Sequence, residues 1–115
     1  MNRGEVRWVD FEPARGEEAN NRRPAIVVSN DGANEAATRL GRGVIVVVPV
    51  TSSIGNVYDF QVLLSADATG LDRDSKAQAE QVRAVAVQRV GARVGRLAAD
   101  AMADIDEALR LHLAL

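Results

Sequence analysis

Cysteine is absent from this 115-residue chain, histidine occurs once, and aromatic side chains make up 3% of it. Without thiols there is neither a disulfide framework nor a thiolate metal site. The single imidazole, His112, has no second His or Cys with which to share a metal. It falls near the end of a helical stretch, where the helix dipole favours it. With so few aromatics the core has to be built from Val, Ile, Leu and Ala, and the aromatic groove of a peptide-binding module cannot be furnished. No apolar run approaches the roughly 18–20 residues needed to cross a bilayer; the longest, Val44 to Val50, has the length of a strand. The opening stretch, Met1 to Glu5, lacks the apolar segment of a secretory signal. A glycine-rich phosphate loop followed by lysine is missing, as is a nucleophile elbow around a serine. These absences lead to the expectation of a cytoplasmic protein with no membrane contact.

What is present fits one folded domain spanning 1–115: 47% hydrophobic and 26% charged residues, with a net charge of −2. The sign argues against a nucleic-acid binder, but the average hides segregation. Arg3, Arg7, Arg15, Arg22, Arg23, Arg39, Arg42, Lys76 and Arg83 fall mostly near strand ends and loops. The acids gather at Asp72 to Asp74 and in the last helix.

Hydrophobic spacing predicts a mainly β chain with a C-terminal helix. Glu5 to Phe11 reads as a first strand, and Glu12 to Arg22, with Pro13, Gly16, Asn20 and Asn21, as a loop. Ala25 to Val28 is a continuous apolar run suited to a buried strand. Turn residues 29–32 stop it, and Ala33 to Leu40 can form a short helical turn. Gly43 to Val48 is rich in β-branched residues; Pro49 should bring that strand to an edge or bend it. A polar loop, Thr51 to Asn56, leads to a half-polar strand containing Phe60, Val62 and Leu64. Leu71 to Asp74 reads as a turn, Lys76 to Val87 as one or two strands, and Gly91 to Leu97 as the last strand. From Ala98 the residues Ala101, Met102, Ile105, Ala108, Leu109 and His112 recur at helical spacing. Short strands followed by a terminal helix suggest a small barrel closed by a helix.

Three polar junctions could carry chemistry. Arg22 and Arg23 stand just ahead of the buried strand, where a guanidinium could grip phosphate oxygens in bidentate fashion. On spacing alone, solvated loop charges paired with Glu17 or Glu18 are the commoner outcome. Thr51, Ser52 and Ser53 emerge from the most apolar strand and could donate to phosphates and sugars, although hydroxyls there usually satisfy turn backbone. Lys76, Gln78 and Glu80 share one face if their segment is extended. Together with Gln81 and Arg83 they could read single-stranded bases, or simply form a solvated sheet face.

In order, these segments resemble the MazF/PemK (Kid) family of toxin endoribonucleases. The resemblance is carried by Arg3-Gly4-Glu5-Val6, Val9-Asp10-Phe11 with Pro13, Gly16-Glu17-Glu18, Arg23-Pro24-Ala25-Ile26-Val27-Val28-Ser29-Asn30-Asp31, Val48-Pro49-Val50-Thr51-Ser52, Ala79-Glu80-Gln81-Val82-Arg83 and the terminal helix. It implies an SH3-like small barrel of the CcdB/MazF type, forming a homodimer. The implied activity is sequence-specific cleavage of single-stranded RNA, mRNA first among its targets, to 2′,3′-cyclic phosphate and 5′-hydroxyl ends, with no metal or other cofactor. A MazE-like antitoxin is the implied partner. By motif position the catalytic residues are Arg23, Thr51 and Glu18, with Glu80 a second candidate for proton acceptor. Relatives using that acid often carry a basic residue two positions earlier; here Gln78 stands there, which leaves protonation of the leaving 5′-oxygen to another basic group, Arg23 being one candidate. Asn20, Asn21, Ser52, Ser53, Lys76, Gln78, Glu80, Gln81 and Arg83 are the expected RNA contacts.

The rival expectation is a CcdB-like toxin of the same fold that poisons gyrase without nuclease activity. Such relatives act through a Trp-Gly-Ile finish, whereas this chain ends Leu113-Ala114-Leu115 and has its only Trp at position 8.

Overall fold

The computed structural model describes residues 1–115. Seven strands run β1 (Glu5–Asp10), β2 (Arg22–Val27), β3 (Val44–Thr51), β4 (Gln61–Leu64), β5 (Ser75–Gln78), β6 (Arg83–Ala86) and β7 (Val90–Arg96). Helix α1 (Asp31–Leu40) follows β2, the one-turn α2 (Ala66–Thr69) follows β4, and α3 (Ala99–Leu113) ends the chain. The fold is mainly β with a C-terminal helix, as the hydrophobic pattern predicts.

Every strand pair is antiparallel, in the order β4-β5-β3-β2-β1-β7 with β6 also against β3. The middle of this sheet is buried on both faces. Ala25 and Val27 pack with Ile45, Val47, Val85 and Phe11 on one side, under Ala37 of α1. Ile26, Val48 and Val50 pack with Leu64, Leu97 and Ile105 of α3 on the other. A strand with both faces covered gains nothing from alternation, which is why these two segments read as unbroken apolar runs.

β3 runs through Pro49 to Thr51 instead of stopping before it. Along one side, Val44 to Val47 pair with β6 and Val50 to Thr51 pair with β5. Pro49 falls in the gap between these two partners, so its missing N–H costs no ladder bond there. The ladder itself does not close. Its seam is filled where α2, continuing from β4, lies against β7. A Cβ at Gly70, whose φ is +83°, would come 2.7 Å from the Val94 carbonyl oxygen, so only glycine permits that approach.

Two local expectations are corrected, and one short helix, α2, answers to none. α1 begins two residues earlier than Ala33, because the Asn30 side chain accepts from the Ala33 N–H at 2.8 Å and Asp31 suits the first turn. α2 carries too few residues to show a period, but Ser65 caps it. The segment from Lys76 is not extended throughout: residues 79–81 form a 3₁₀ turn, which removes Glu80 from the face shared by Lys76 and Gln78.

Candidate active site

Two of the polar junctions meet at one end of the central strands. Asn21 adopts a left-handed conformation, φ 61°, tolerated by Asn, and swings the chain into β2 so that Arg22 and Arg23 are its first residues. Ala25 pairs with Pro49. Continued two residues beyond its last pair, the same register would set Arg23 opposite Thr51. Both line a cleft of about 560 Å³, together with Trp8, Asn21, Arg22, Ser52 and Arg73. Its charged lining is Arg22, Arg23 and Arg73 against Asp72 alone, so the cleft is cationic on a chain whose net charge is negative.

Arg23 is half-buried and oriented. Its Nε donates to the Asn20 carbonyl at 2.9 Å, one Nη to Asn20 Oδ1 at 2.7 Å and the other to Gln78 Oε1 at 3.5 Å. Burial draws its pKa below the usual guanidinium range. All its partners are neutral, so no carboxylate competes with an incoming anion. Arg22 lies over the Trp8 ring at 5.8 Å, and a Cβ at Gly91 would stand 3.2 Å from it. Thr51 Oγ1 accepts from the Ser53 N–H at 3.2 Å, which leaves its own hydroxyl proton free to donate.

The other expected contacts separate into two groups. Asn21 and Ser52 line the cleft, and Asn20 and Gln78 hold Arg23; Ser53 is exposed next to Thr51. By contrast Gln81 is occupied inside the protein: it accepts from the Ala19 N–H at 2.9 Å and donates to the Glu17 carbonyl at 2.8 Å, clamping the Glu12–Asn21 loop. Lys76 is buried, with its ammonium on the Asn56 carbonyl. Arg83 packs over Phe11 at 5.7 Å. Glu80 accepts from Gln61 Nε2 at 2.7 Å through one oxygen, while the other is buried without a partner. Glu18 is exposed, receives the Arg15 N–H at 2.8 Å and does not line the cleft.

Trp8 and Arg73 were not legible as site residues. Trp8 reads as an ordinary strand residue, and Arg73 sits in the Leu71–Asp74 turn, which has no periodicity; only tertiary packing of that turn beside β2 and β3 shows the connection.

A small antiparallel β domain presenting a cationic cleft has the charge to hold an anionic ligand. More specifically, the chain belongs to the PemK-like, MazF-like toxin family of type II toxin–antitoxin systems, whose family pattern matches residues 2–113. It is 64% identical over 115 residues to a Mycobacterium tuberculosis protein named Endoribonuclease MazF9, covering all of this chain and 98% of that one. A crystal structure of MazF from Deinococcus radiodurans matches with a TM-score of 0.84 and 27% identity, over 100% of this chain and 97% of that one. A MazE–MazF structure from the same organism matches with a TM-score of 0.74 and 25% identity, over 100% and 96%.

Proposed function

We propose that this protein is a toxin endoribonuclease that cleaves single-stranded RNA at short sequences by metal-independent transesterification. The observation that carries this reading is the placement of Arg23 and Thr51 on adjacent antiparallel strands, both lining one cationic cleft. The relatives' names support the substrate class.

In the proposed reaction the ribose 2′-oxygen attacks the adjacent phosphorus and the bond from phosphorus to the 5′-oxygen breaks. A 2′,3′-cyclic phosphate and a 5′-hydroxyl result. Arg23 stabilises the charge that builds on the phosphorane oxygens, where one well-placed donor contributes roughly 3–4 kcal/mol. It also protonates the leaving 5′-oxygen, and the lowering of its pKa by burial works in that direction. Thr51 donates to the scissile phosphate. Glu80 is the better candidate for receiving the 2′-hydroxyl proton. It stands two residues after Gln78, which touches Arg23, and one of its oxygens is buried without a partner, although like Glu18 it does not line the cleft itself. Glu18 is spent on its own loop. Arg22, Arg73 and Trp8 extend the cleft for neighbouring nucleotides, the ring offering a stacking face.

We also propose a cytoplasmic homodimer neutralised by an antitoxin whose acidic segment covers this cleft. The exposed Leu63, Leu111 and Leu113 give apolar surface for pairing, and the MazE–MazF relative supports the partner class. The gyrase-poisoning alternative is not favoured: the matching family pattern is the PemK-like, MazF-like one, and relatives of this chain are named endoribonucleases.

The test is incubation of the purified protein with a long unstructured RNA, with and without EDTA, followed by mapping of 5′ ends. Cleavage at recurring short sequences with 5′-hydroxyl termini, undiminished by EDTA, is expected. An intact RNA, or cleavage only with added magnesium, overturns the proposal.

A further inference from the structure

A buried lysine is rare unless something holds its charge. Lys76 is 8% exposed and has no carboxylate partner. Its place in the sheet is informative: on β5 it is paired with Thr51 on one side and with Leu63 of β4 on the other. Cross-strand partners share a face, so its side chain leaves the sheet on the side of Thr51. From there the ammonium donates to the backbone carbonyl of Asn56 and lies 5.8 Å from the centre of the Tyr58 ring.

Asn56 and Tyr58 belong to the segment joining β3 to β4, residues 52–60, which begins directly after Thr51. The second half of that segment is tied down several times over. Tyr58 stacks on Phe60 with centroids 5.5 Å apart. The Tyr58 N–H donates to Gln61 Oε1 at 3.1 Å, and the Gln61 N–H donates to the Tyr58 carbonyl at 2.8 Å. Gln61 is in turn held by Glu80. The first half has a single such tie, from the Ser53 N–H to Thr51. The segment is thus a short free tip, 52–55, carried on a latched base.

We propose that Lys76 is a positioning residue for RNA recognition: its buried ammonium latches the 52–60 segment onto β5 and so sets where the Ser52–Gly55 tip stands beside the cleft, which decides the bases accepted next to the scissile phosphate. This rests on the endoribonuclease reading of that cleft. It replaces the direct role expected for Lys76, because an ammonium committed to a carbonyl beneath an aromatic ring is not free to bind phosphate.

Lys76→Met keeps the length and apolar body of the side chain and removes the latch; Tyr58→Ala loosens the same segment without altering β5. In Lys76→Met amide exchange across residues 53–58 should quicken about tenfold, as expected for losing a hydrogen bond to a charged donor, and in Tyr58→Ala, which loses only the ring contacts, it should quicken by less, with the β3 amides unchanged in both. On RNA, KM should rise several-fold with kcat much less affected, and the mapped cleavage sites should broaden. Binding to a 2′-O-methylated single strand should keep its dependence on salt, whereas a lost phosphate contact would lower that slope by about 1. A slope lowered in this way overturns the latch in favour of direct contact. Unchanged exchange overturns the latch itself, and quickened exchange with an unaltered cleavage pattern overturns its part in recognition. If the parent protein neither cleaves nor binds RNA, the endoribonuclease reading fails and the recognition role with it; the exchange experiment still reports on the latch.

Discussion

The two ends of the β1–β2 hairpin are both rich in arginine, yet they use it in opposite ways. At the end near the chain start, the charges are consumed by partners. Glu5, 3% exposed, accepts from the Asn2 N–H at 2.6 Å and pairs with Arg7 at 2.9 Å. Arg3 joins three elements: its N–H reaches Asp31 at the start of α1, its Nε the Val28 carbonyl, and its Nη Asp106 on α3. At the other end Arg22 has an aromatic ring, Arg23 only neutral acceptors, and both open into the cleft beside Arg73. Charges with carboxylate partners fasten a fold, whereas guanidiniums that line an open cleft without a carboxylate partner remain available to an outside anion. This contrast, more than net charge, supports the proposed role of the cleft.

Substituting one residue at each end separates the two roles. Arg23→Ala should lower kcat on single-stranded RNA by about 10²–10³-fold, the usual loss when a preorganised donor to a transition-state oxyanion is removed. Its melting temperature should stay within a few degrees of the parent's. Activity at the parental level would remove Arg23 from the chemistry. At the fastened end, Glu5→Ala should do the reverse. It leaves the Arg7 guanidinium and the Asn2 N–H without their partner, and it should cost about 2–3 kcal/mol of unfolding free energy in a urea titration, less than a fully dry pair because Arg7 is partly exposed. Cleavage under folding conditions should survive. Thr51→Ala comes next in size, about a tenfold loss in kcat/KM for one hydrogen bond to a charged group. Thr51→Ser, which keeps the hydroxyl, should recover most of it; equal impairment in both would reassign Thr51 to packing.

The buried centre and the two main site residues are legible in the sequence, whereas the contrast between the two hairpin ends is not, and the reasons are specific. Two apolar runs, Ala25 to Val28 and Gly43 to Val48, announce the buried centre because covered faces require uninterrupted hydrophobicity. The motif resemblance places Arg23 and Thr51, and the β2–β3 register brings them together. Burial of single polar side chains leaves no periodic trace. Nothing in the Lys76 to Arg83 stretch says that Gln81 will clamp the Glu12–Asn21 loop or that Lys76 will turn inward. The 3₁₀ turn at 79–81 also breaks the alternation on which an extended reading of that stretch depends. Arg73 reaches the cleft through the packing of a turn, a long-range event with no local signature.

The smallest expected effect probes the fastened end by acid. Burial raises the pKa of Glu5, but the Asn2 N–H, the Arg7 hydrogen bond and the charges of Arg7 and Arg93 together outweigh it and leave the value below the ordinary 4.5. A carboxyl whose folded pKa lies below its unfolded one contributes stability that is fully present above the unfolded value and disappears as pH falls through the folded one. Urea titrations from pH 6 downward should therefore show a stability loss starting near pH 4.5 and growing below it. Glu5→Gln, which cannot titrate, should follow a flatter curve over the same window, starting from a lower plateau. The Arg23 end holds no such titrating carboxylate in its hydrogen-bond set, so Arg23→Ala should reproduce the parental acid profile. If the Glu5→Gln curve is as steep as the parent's, the acid sensitivity belongs to other carboxylates, and the fastening role assigned to Glu5 loses its pH signature.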